Sequence, residues 1–387
     1  MISIVLFYVT LFLLSLGQIG RISFFGQQVN IYLFEIPLLL FTFIQLWTYR
    51  LTPFKSHSKL SYAFIIFTSV MVLTFLMSIY RYNPFQNFVA FLYLGRLFFY
   101  LLAGVYLATH TKRSLSSQKH IKIGLIMYAL CVIVFSILQY VLYPDLRNLY
   151  YLGWDPHLSR VFGTFFDPPI TAATFGLLLI YFFFAKTNLK RGWHYLLLGL
   201  LFILFIATFS RGGYMGFLVT GAYYVLRHKK YIIAGGVIVA FILVLLLLPK
   251  SFGEGVNLLR TSTIESRLTD YQNAFKIVSS APIFGIGYNH IRYELGNRGL
   301  LESKNFDITH SGASFQSSYL IILTTTGIFG LLSFLYLLFI ISRNHEVVSY
   351  FVILLGTMSL TDNVLLHPFI ILLVSVLMSA VIVRRKR

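Results

Sequence analysis

The chain has 387 residues, of which 58% are hydrophobic and only 11% are charged, and its mean hydropathy is +0.79. Since soluble domains carry about 25% charged residues, this composition excludes a soluble globular protein and predicts an all-α polytopic membrane protein. The formal net charge of +19 does not indicate a nucleic-acid partner, because Lys and Arg lie in short clusters between apolar runs. Such clusters set membrane topology and contact anionic membrane lipids. The single cysteine, Cys131, excludes a disulfide framework and a cysteine metal cluster.

Apolar runs of about 17 to 23 residues recur along the chain and predict about 12 transmembrane helices in one integral membrane domain, 1–387. They lie near residues 2–19, 30–48, 61–79, 88–109, 121–143, 169–185, 193–209, 213–226, 231–248, 317–341, 347–361 and 366–383. The eighth run is short and polar residues interrupt the eleventh, so ten or eleven crossings are the alternative. The first run has no basic leader and no small-residue cleavage site, and we interpret it as a retained span.

Basic residues are concentrated in alternate loops between the runs and in the carboxyl-terminal tail. The positive-inside rule therefore places those loops and both termini in the cytoplasm. The long polar segment 250–316, between the ninth and tenth spans, then faces the periplasm or the cell exterior. The shorter polar loop 144–168 faces the same side.

The long outward loop contains one strong helix signal. Ser262 and Glu265 form a capping box, and apolar residues recur behind them at helical spacing. They predict an amphipathic helix over about 263–280 that lies on the membrane face. Pro282 ends this helix because proline cannot continue it, and a glycine-rich turn follows over 283–287.

Two arginines are the strongest candidates for binding an anion. Arg211 lies between the seventh and eighth runs, and the two glycines that follow it leave the backbone open to a ligand. Arg267 lies near the start of the predicted loop helix, where backbone N–H groups favour an anion. The structural alternatives are a snorkelling Arg211 at a tight turn, and a surface ion pair between Arg267 and Asp270.

Among the histidines, His310 is the candidate general base, because a neutral imidazole at the outward surface can take a proton from a hydroxyl. A lone loop histidine is more often only solvated, and His157 and His290 are weaker candidates. Asp167 and the two prolines after it open the sixth run, where capping of a helix is the favoured interpretation. His367 and the polar residues before it are interpreted equally well as a capping cluster.

Several motifs are missing from the sequence: the P-loop, the H-E-x-x-H zinc motif, the serine elbow and an Asp-x-Asp pair. We therefore expect neither a cofactor nor a metal. Arginines and a base on the outward face favour an anionic, phosphate-bearing ligand. A transporter or flippase would instead place its binding residues near the bilayer midplane in matched halves, and the sequence shows no such repeat. A structural partner of an envelope complex would not need the arginines.

Four short stretches occur in a fixed order around the long loop. They are Arg160-Val-Phe-Gly-Thr-Phe-Phe-Asp-Pro-Pro169, Thr208-Phe-Ser-Arg-Gly-Gly213, Arg267-Leu-Thr-Asp-Tyr-Gln-Asn-Ala274 with Ala281-Pro-Ile-Phe-Gly-Ile-Gly287, and Ser318-Tyr-Leu-Ile-Ile-Leu-Thr-Thr-Thr-Gly-Ile-Phe-Gly330. In order and spacing they resemble the O-antigen ligase and polymerase family, which comprises Wzy-type integral membrane glycosyltransferases. The resemblance covers roughly residues 160–335.

The resemblance implies an enzyme of the bacterial cytoplasmic membrane that takes its glycan from an undecaprenyl-diphosphate carrier on the outer face. It implies that two arginines hold the donor diphosphate. With the candidate base, the predicted catalytic residues are Arg211, Arg267 and His310. Substrate-binding positions within or beside the four stretches are Arg160, Asp167, Tyr271, Gln316 and Tyr319. Expected partners are lipid-linked glycans, membrane lipids and a chain-length regulator.

The chain departs from the family pattern at one place. The family often has His-Asn directly before Ser-Tyr-Leu, where this chain has Gln316 and Ser317. Either a longer connection returns His310 to the site, or the protein does not use that base. Gln316 cannot act as a base, although its amide can hydrogen-bond a sugar hydroxyl. The mismatch favours a polymerase that joins repeat units by metal-independent, inverting transfer, with a ligase acting on lipid A core as the alternative.

Overall fold

The computed structural model describes residues 2–50, 52, 58–113, 115–152, 154–185, 189–247, 262–300 and 313–382. These residues are mostly helical and form fourteen α-helices. The helices are α1 (Ile2–Ser15), α2 (Glu35–Tyr49), α3 (Ser58–Ser78), α4 (Pro84–Arg113), α5 (Leu115–Leu142), α6 (Pro168–Phe184), α7 (Arg191–Ala207), α8 (Arg211–His228), α9 (Tyr231–Leu247), α10 (Ser262–Ser280), α11 (Ile291–Asn297), α12 (Ser318–Ser342), α13 (Glu346–Met358) and α14 (Pro368–Ile382).

Within the described ranges, four segments are long and apolar enough to cross a membrane, by length and composition. They are Lys59–Arg81, Pro84–Thr111, Gln118–Leu142 and Ser318–Ser342, and six shorter apolar helices accompany them. Large apolar side chains such as Phe43 and Leu76 stay exposed on the outside of the bundle, as expected for a surface that contacts lipid. The helices define a multi-pass membrane protein, while the count of about 12 crossings stays a prediction.

One expectation about the amino-terminal region is wrong. The second apolar run was expected to be helical from residue 30, but Arg21–Phe24 and Val29–Tyr32 form an antiparallel hairpin with Arg21 opposite Tyr32. Helix α2 begins only at Glu35, whose Oε2 accepts a hydrogen bond from the Tyr32 backbone N–H at 2.9 Å. The chain is therefore not purely helical, because a two-stranded hairpin leads into α2.

Helix α6 occupies the centre of the bundle. Every residue from Ile170 to Phe182 is buried, and α6 packs against α7, α8, α13 and α14. A helix that is apolar on all sides is stable in such a fully enclosed position. The carboxyl-terminal helices complete the bundle, with α14 against α4 and α12 against α3. The start of α6 is thereby fixed next to the turn between α13 and α14.

Helix α12 is broken at Gly327, which has φ 64° and ψ −165°. The glycine-rich turn after α10 packs into this break. The backbone N–H groups of Ile286 and Gly287 donate to the carbonyls of Thr324 and Thr325 at 3.0 and 2.9 Å. The N–H of Ile328 donates back to the carbonyl of Pro282 at 3.0 Å. These bonds pair backbone groups that the break removes from the helix ladder, so they attach the outward loop to the bundle.

The Gly327→Ala variant is expected to lower the free energy of unfolding by about 2–4 kcal/mol. A Cβ at this position would overlap the Ile283 carbonyl, and the positive φ strains any side chain. Thermal unfolding of the detergent-purified protein measures the loss. Gly199→Ala in α7 is the matched control, since a Cβ there has no neighbour within 4 Å. Equal melting temperatures for the two variants would show that the break does not require glycine.

Candidate functional site

The charged centre of the candidate site is an ion pair between the loop helix α10 and the turn after α13. Arg267 Nη2 lies 2.9 Å from Asp362 Oδ1, and the two side chains are 19% and 10% exposed. Thr361 Oγ1 donates to the other carboxylate oxygen at 2.8 Å, and the backbone N–H of Asp362 bonds to the Met358 carbonyl at 2.9 Å. Charge-assisted hydrogen bonds of this kind hold both side chains in a defined geometry.

Arg211 joins this pair at the amino terminus of α8. Ser210 caps the helix by accepting a hydrogen bond from the Gly213 N–H at 3.1 Å. A Cβ at Gly212 would overlap Oδ2 of Asp362, so only glycine lets the helix start approach the carboxylate so closely. Arg211 is near enough to interact electrostatically with both Arg267 and Asp362. The cluster of Arg211, Arg267 and Asp362 thus holds two positive charges and one negative charge at a helix amino terminus, an arrangement suited to an anion.

Arg160 lies behind this cluster rather than on its surface. Its side chain is buried, at 2% exposure. Its Nε donates to the Thr208 carbonyl at 2.9 Å, and its Nη2 donates to the Phe209 carbonyl at 3.3 Å. These two residues form the turn directly before Ser210 and Arg211. In this position Arg160 fixes the turn that presents Arg211, and its role in substrate binding stays a prediction.

Asp167 has the helix-start position expected from the sequence. It precedes Pro168 at the start of α6, and its backbone carbonyl accepts from the N–H and Oγ1 of Thr171 at 3.0 and 2.9 Å. Burial, followed by the nearby charges of Asp362 and Asp155, raises the pKa of the Asp167 carboxyl to about 7. The carboxyl is therefore close to half protonated at neutral pH, and it limits the negative charge beside the arginines.

Hydrogen bonds to neighbouring segments are formed by three of the predicted substrate-binding residues, Tyr271, Gln316 and Tyr319. The hydroxyl of Tyr271 donates to the Leu360 carbonyl at 2.6 Å, and that of Tyr319 donates to the Gly356 carbonyl at 3.1 Å. The backbone N–H of Gln316 donates to Asp270 Oδ2 at 3.0 Å. The sequence allowed a surface ion pair between Arg267 and Asp270, but Arg267 instead pairs with Asp362.

The histidines have separate environments. His310 lies outside the described residues. His290 is fully buried, stacks on Tyr82 at 4.0 Å between ring centroids, and lies 3.2 Å from Asn87 Oδ1. Burial lowers its pKa to about 4, so His290 is a neutral packing residue at physiological pH. His367 is half-buried and lines a cleft together with Asn363, the residue after Asp362.

Residues 196–335 match the family model described as O-antigen ligase. Over these residues the chain is similar to the O-antigen ligase family. The O-antigen ligase match includes Arg211, Arg267, the turn at 281–287 and the break in α12 at Gly327. It indicates a glycosyltransferase-like membrane enzyme of the ligase or polymerase kind, and it offers no support for a transporter. A comparison with curated proteins gives no match.

Asp362 is the site residue that sequence reasoning missed. It lies beyond the O-antigen ligase match, and in the sequence it was noticed as a polar interruption at the end of the eleventh apolar run and near a possible capping cluster. An acidic residue at the end of an apolar run is costly unless it is paired, and this is the signal that could have indicated a positive partner. Which arginine pairs with it does not follow from the sequence, since Arg267 lies 95 positions away.

Proposed function

We propose that the protein is a polysaccharide polymerase that joins undecaprenyl-diphosphate-linked repeat units on the outer face of the bacterial cytoplasmic membrane. The observation that carries the proposal is the convergence of Arg211 and Arg267 at Asp362. Two guanidinium groups in fixed positions suit a diphosphate, because each presents paired N–H donors to phosphate oxygens. Both termini lie in the cytoplasm in this proposal.

The proposed reaction is a single inverting displacement. A hydroxyl oxygen of the acceptor sugar attacks the anomeric carbon of the donor glycan. The bond from that carbon to the diphosphate oxygen breaks, and its electron pair leaves with undecaprenyl diphosphate. Arg211 and Arg267 stabilise the negative charge that develops on the leaving group, which is usually the largest electrostatic contribution in such a site. Asp362 holds Arg267 in place before the donor binds.

In this proposal His310 takes the proton of the attacking hydroxyl. His310 precedes Gln316 by six positions, so the connecting chain spans at most about 20 Å. The backbone N–H of Gln316 is bonded to Asp270, one turn along the same helix as Arg267. The length of this connection is compatible with an approach of His310 to the arginines. Tyr271 and Tyr319 hold the walls of the same site, and the amide of Gln316 is a candidate partner for a sugar hydroxyl.

A ligase that transfers the glycan to lipid A core is the second candidate, and the description of the matching family favours it. Both candidates use the same donor and the same arginines. They differ in the acceptor, which is a second lipid-linked repeat unit for the polymerase. A chain-length regulator is a proposed partner of the polymerase alone.

Incubation of the purified protein with a lipid-diphosphate oligosaccharide tests the proposal. The polymerase is expected to give a ladder of longer lipid-linked glycans and to release undecaprenyl diphosphate. Product formation only when lipid A core is added would identify a ligase. If correctly folded wild-type protein consumes no donor under either condition, both the polymerase and the ligase are contradicted.

A further inference from the structure

A polar cleft of about 200 Å³ adjoins the turn that holds Asp362, because the next residue, Asn363, is part of its lining. Its walls come from the hairpin before α2, from α4, from residues 288–293, and from the segments before α12 and α14. The segment before α12 contributes Ala313 and Ser314, and the segment before α14 contributes Asn363 and His367. The cleft is therefore built by the same two segments that hold Gln316 and Asp362.

The lining of the cleft has the chemistry of a saccharide site. Rings of Tyr32, Tyr93 and Tyr288 alternate there with side-chain amides such as Asn30 and Asn363. Aromatic faces pack against the C–H faces of sugar rings, and amides both donate to and accept from sugar hydroxyls. Pockets that combine apolar rings with a few fixed polar groups are typical of ligand sites.

The lining contains buried polar atoms without a hydrogen-bond partner among the described residues. Oε1 of Gln27 and Nη2 of Arg96 are such atoms. Most buried polar groups are hydrogen-bonded, and an unsatisfied one in a cleft indicates a missing partner. A hydroxyl can satisfy both, since it donates to an amide oxygen and accepts from a guanidinium N–H.

Arg96 is held rigidly for such a contact. Its Nε lies 2.6 Å from Glu35 Oε1 and 3.0 Å from the Tyr100 hydroxyl, and its guanidinium lies 4.8 Å from the centre of the Tyr32 ring. A charged pair inside a membrane bundle is costly, and its presence points to function. Because Glu35 balances the charge of Arg96, the pair offers directed N–H groups rather than a free positive charge.

We infer that this cleft binds the glycan of the acceptor repeat unit. The inference rests on the proposed function, because it supplies the second substrate of that reaction. Asp362 and Asn363 are adjacent, and the first bonds to Arg267 while the second lines the cleft. A sugar in the cleft would thus have its end beside the donor diphosphate.

The test measures glycan binding separately from turnover. The probe is the lipid-free oligosaccharide released by mild acid from the repeat unit of the host cell, titrated into the purified full-length protein. Tyr93→Ala is expected to weaken binding about tenfold through loss of an aromatic wall, while Tyr93→Phe, which keeps the ring, binds like the wild type. Arg96→Lys, which keeps the charge but loses the guanidinium N–H fork, is expected to weaken binding as well.

The outcomes distinguish failure of the proposed acceptor cleft from failure of the proposed polymerase activity. Equal glycan binding by the wild type and Tyr93→Ala, or no binding by the wild type, would overturn the inference that the cleft binds the acceptor glycan. A polymer ladder in the same experiment would still support the proposed function. Binding that depends on Tyr93, without any glycan transfer, would keep the cleft and contradict the polymerase. In turnover assays, Tyr93→Ala is expected to raise the KM for the acceptor and to leave kcat nearly unchanged.

Discussion

Replacing Arg267 or Arg211 by alanine is expected to abolish the polymer ladder in cells while the protein still inserts into the membrane. In the proposed reaction each arginine stabilises charge on the departing diphosphate, and removing one such group lowers kcat by about 10²–10³. Loss of Arg267 also leaves the carboxylate of Asp362 without its 2.9 Å partner, which adds repulsion against a diphosphate. Gel analysis of the glycan, together with turnover of the purified variants, measures the effect.

The matched control for this prediction is Arg298→Ala. Arg298 also lies in the long loop between α9 and α12, where it pairs with Glu294 at 2.6 Å and donates to Ser280 Oγ at 2.6 Å. The Arg298→Ala variant removes the same charge from the same loop without removing a residue of the arginine cluster, so we expect a normal ladder. Normal ladders from both the Arg211 and Arg267 variants would contradict the assignment of the diphosphate site. Arginine-to-lysine variants are expected to keep part of the activity, because lysine retains the charge but loses the planar fork.

The sequence predicted local structure best where a periodic pattern ended at a strong stop signal. The loop helix expected over 263–280 is α10, Ser262–Ser280, and the turn expected after Pro282 is present. The side chain of Ser262, and with it the capping box, lies outside the described part of the structure. The hairpin before α2 was missed because each strand has only four residues, which is too short for a period-2 pattern to outweigh the apolar run that follows.

For the site, the sequence provided the arginines but not their arrangement. Arg211 was singled out by its charge in an apolar setting and Arg267 by its place near the start of the loop helix, and the structure brings them together. Asp362 was noticed as a polar interruption of the eleventh run and in a possible capping cluster, but not as the partner of Arg267. That pairing joins residues 95 positions apart and depends on how α10 packs against α12 and α12 against α13. The position of Arg160 is also set by contacts between distant parts of the chain. Its buried contacts with the Thr208 and Phe209 carbonyls depend on how two distant turns meet.

His310→Ala is expected to lower kcat about 10²–10⁴-fold, the usual contribution of a general base. The arginines hold the donor without the imidazole, so binding of the lipid-linked donor should change little. In the wild type, activity should fall at acidic pH, because a protonated imidazole cannot accept the hydroxyl proton. The variant should lack this acidic limb. A pH–rate profile at saturating donor and acceptor measures both effects.

His367→Ala is the matched histidine control, since it removes an imidazole that lines the acceptor cleft. If His310 is the base, His367→Ala should keep the acidic limb and affect mainly the KM for the acceptor. Near-normal turnover by His310→Ala would move the base elsewhere. Loss of the acidic limb in His367→Ala would then identify His367, on the cleft wall, as the base. An intact limb in both variants would exclude both histidines, and Asp307, a carboxylate of the long polar segment 250–316, would be the next residue to test. The two profiles thus decide whether the departure from the family pattern at Gln316 reflects a displaced histidine or a different base.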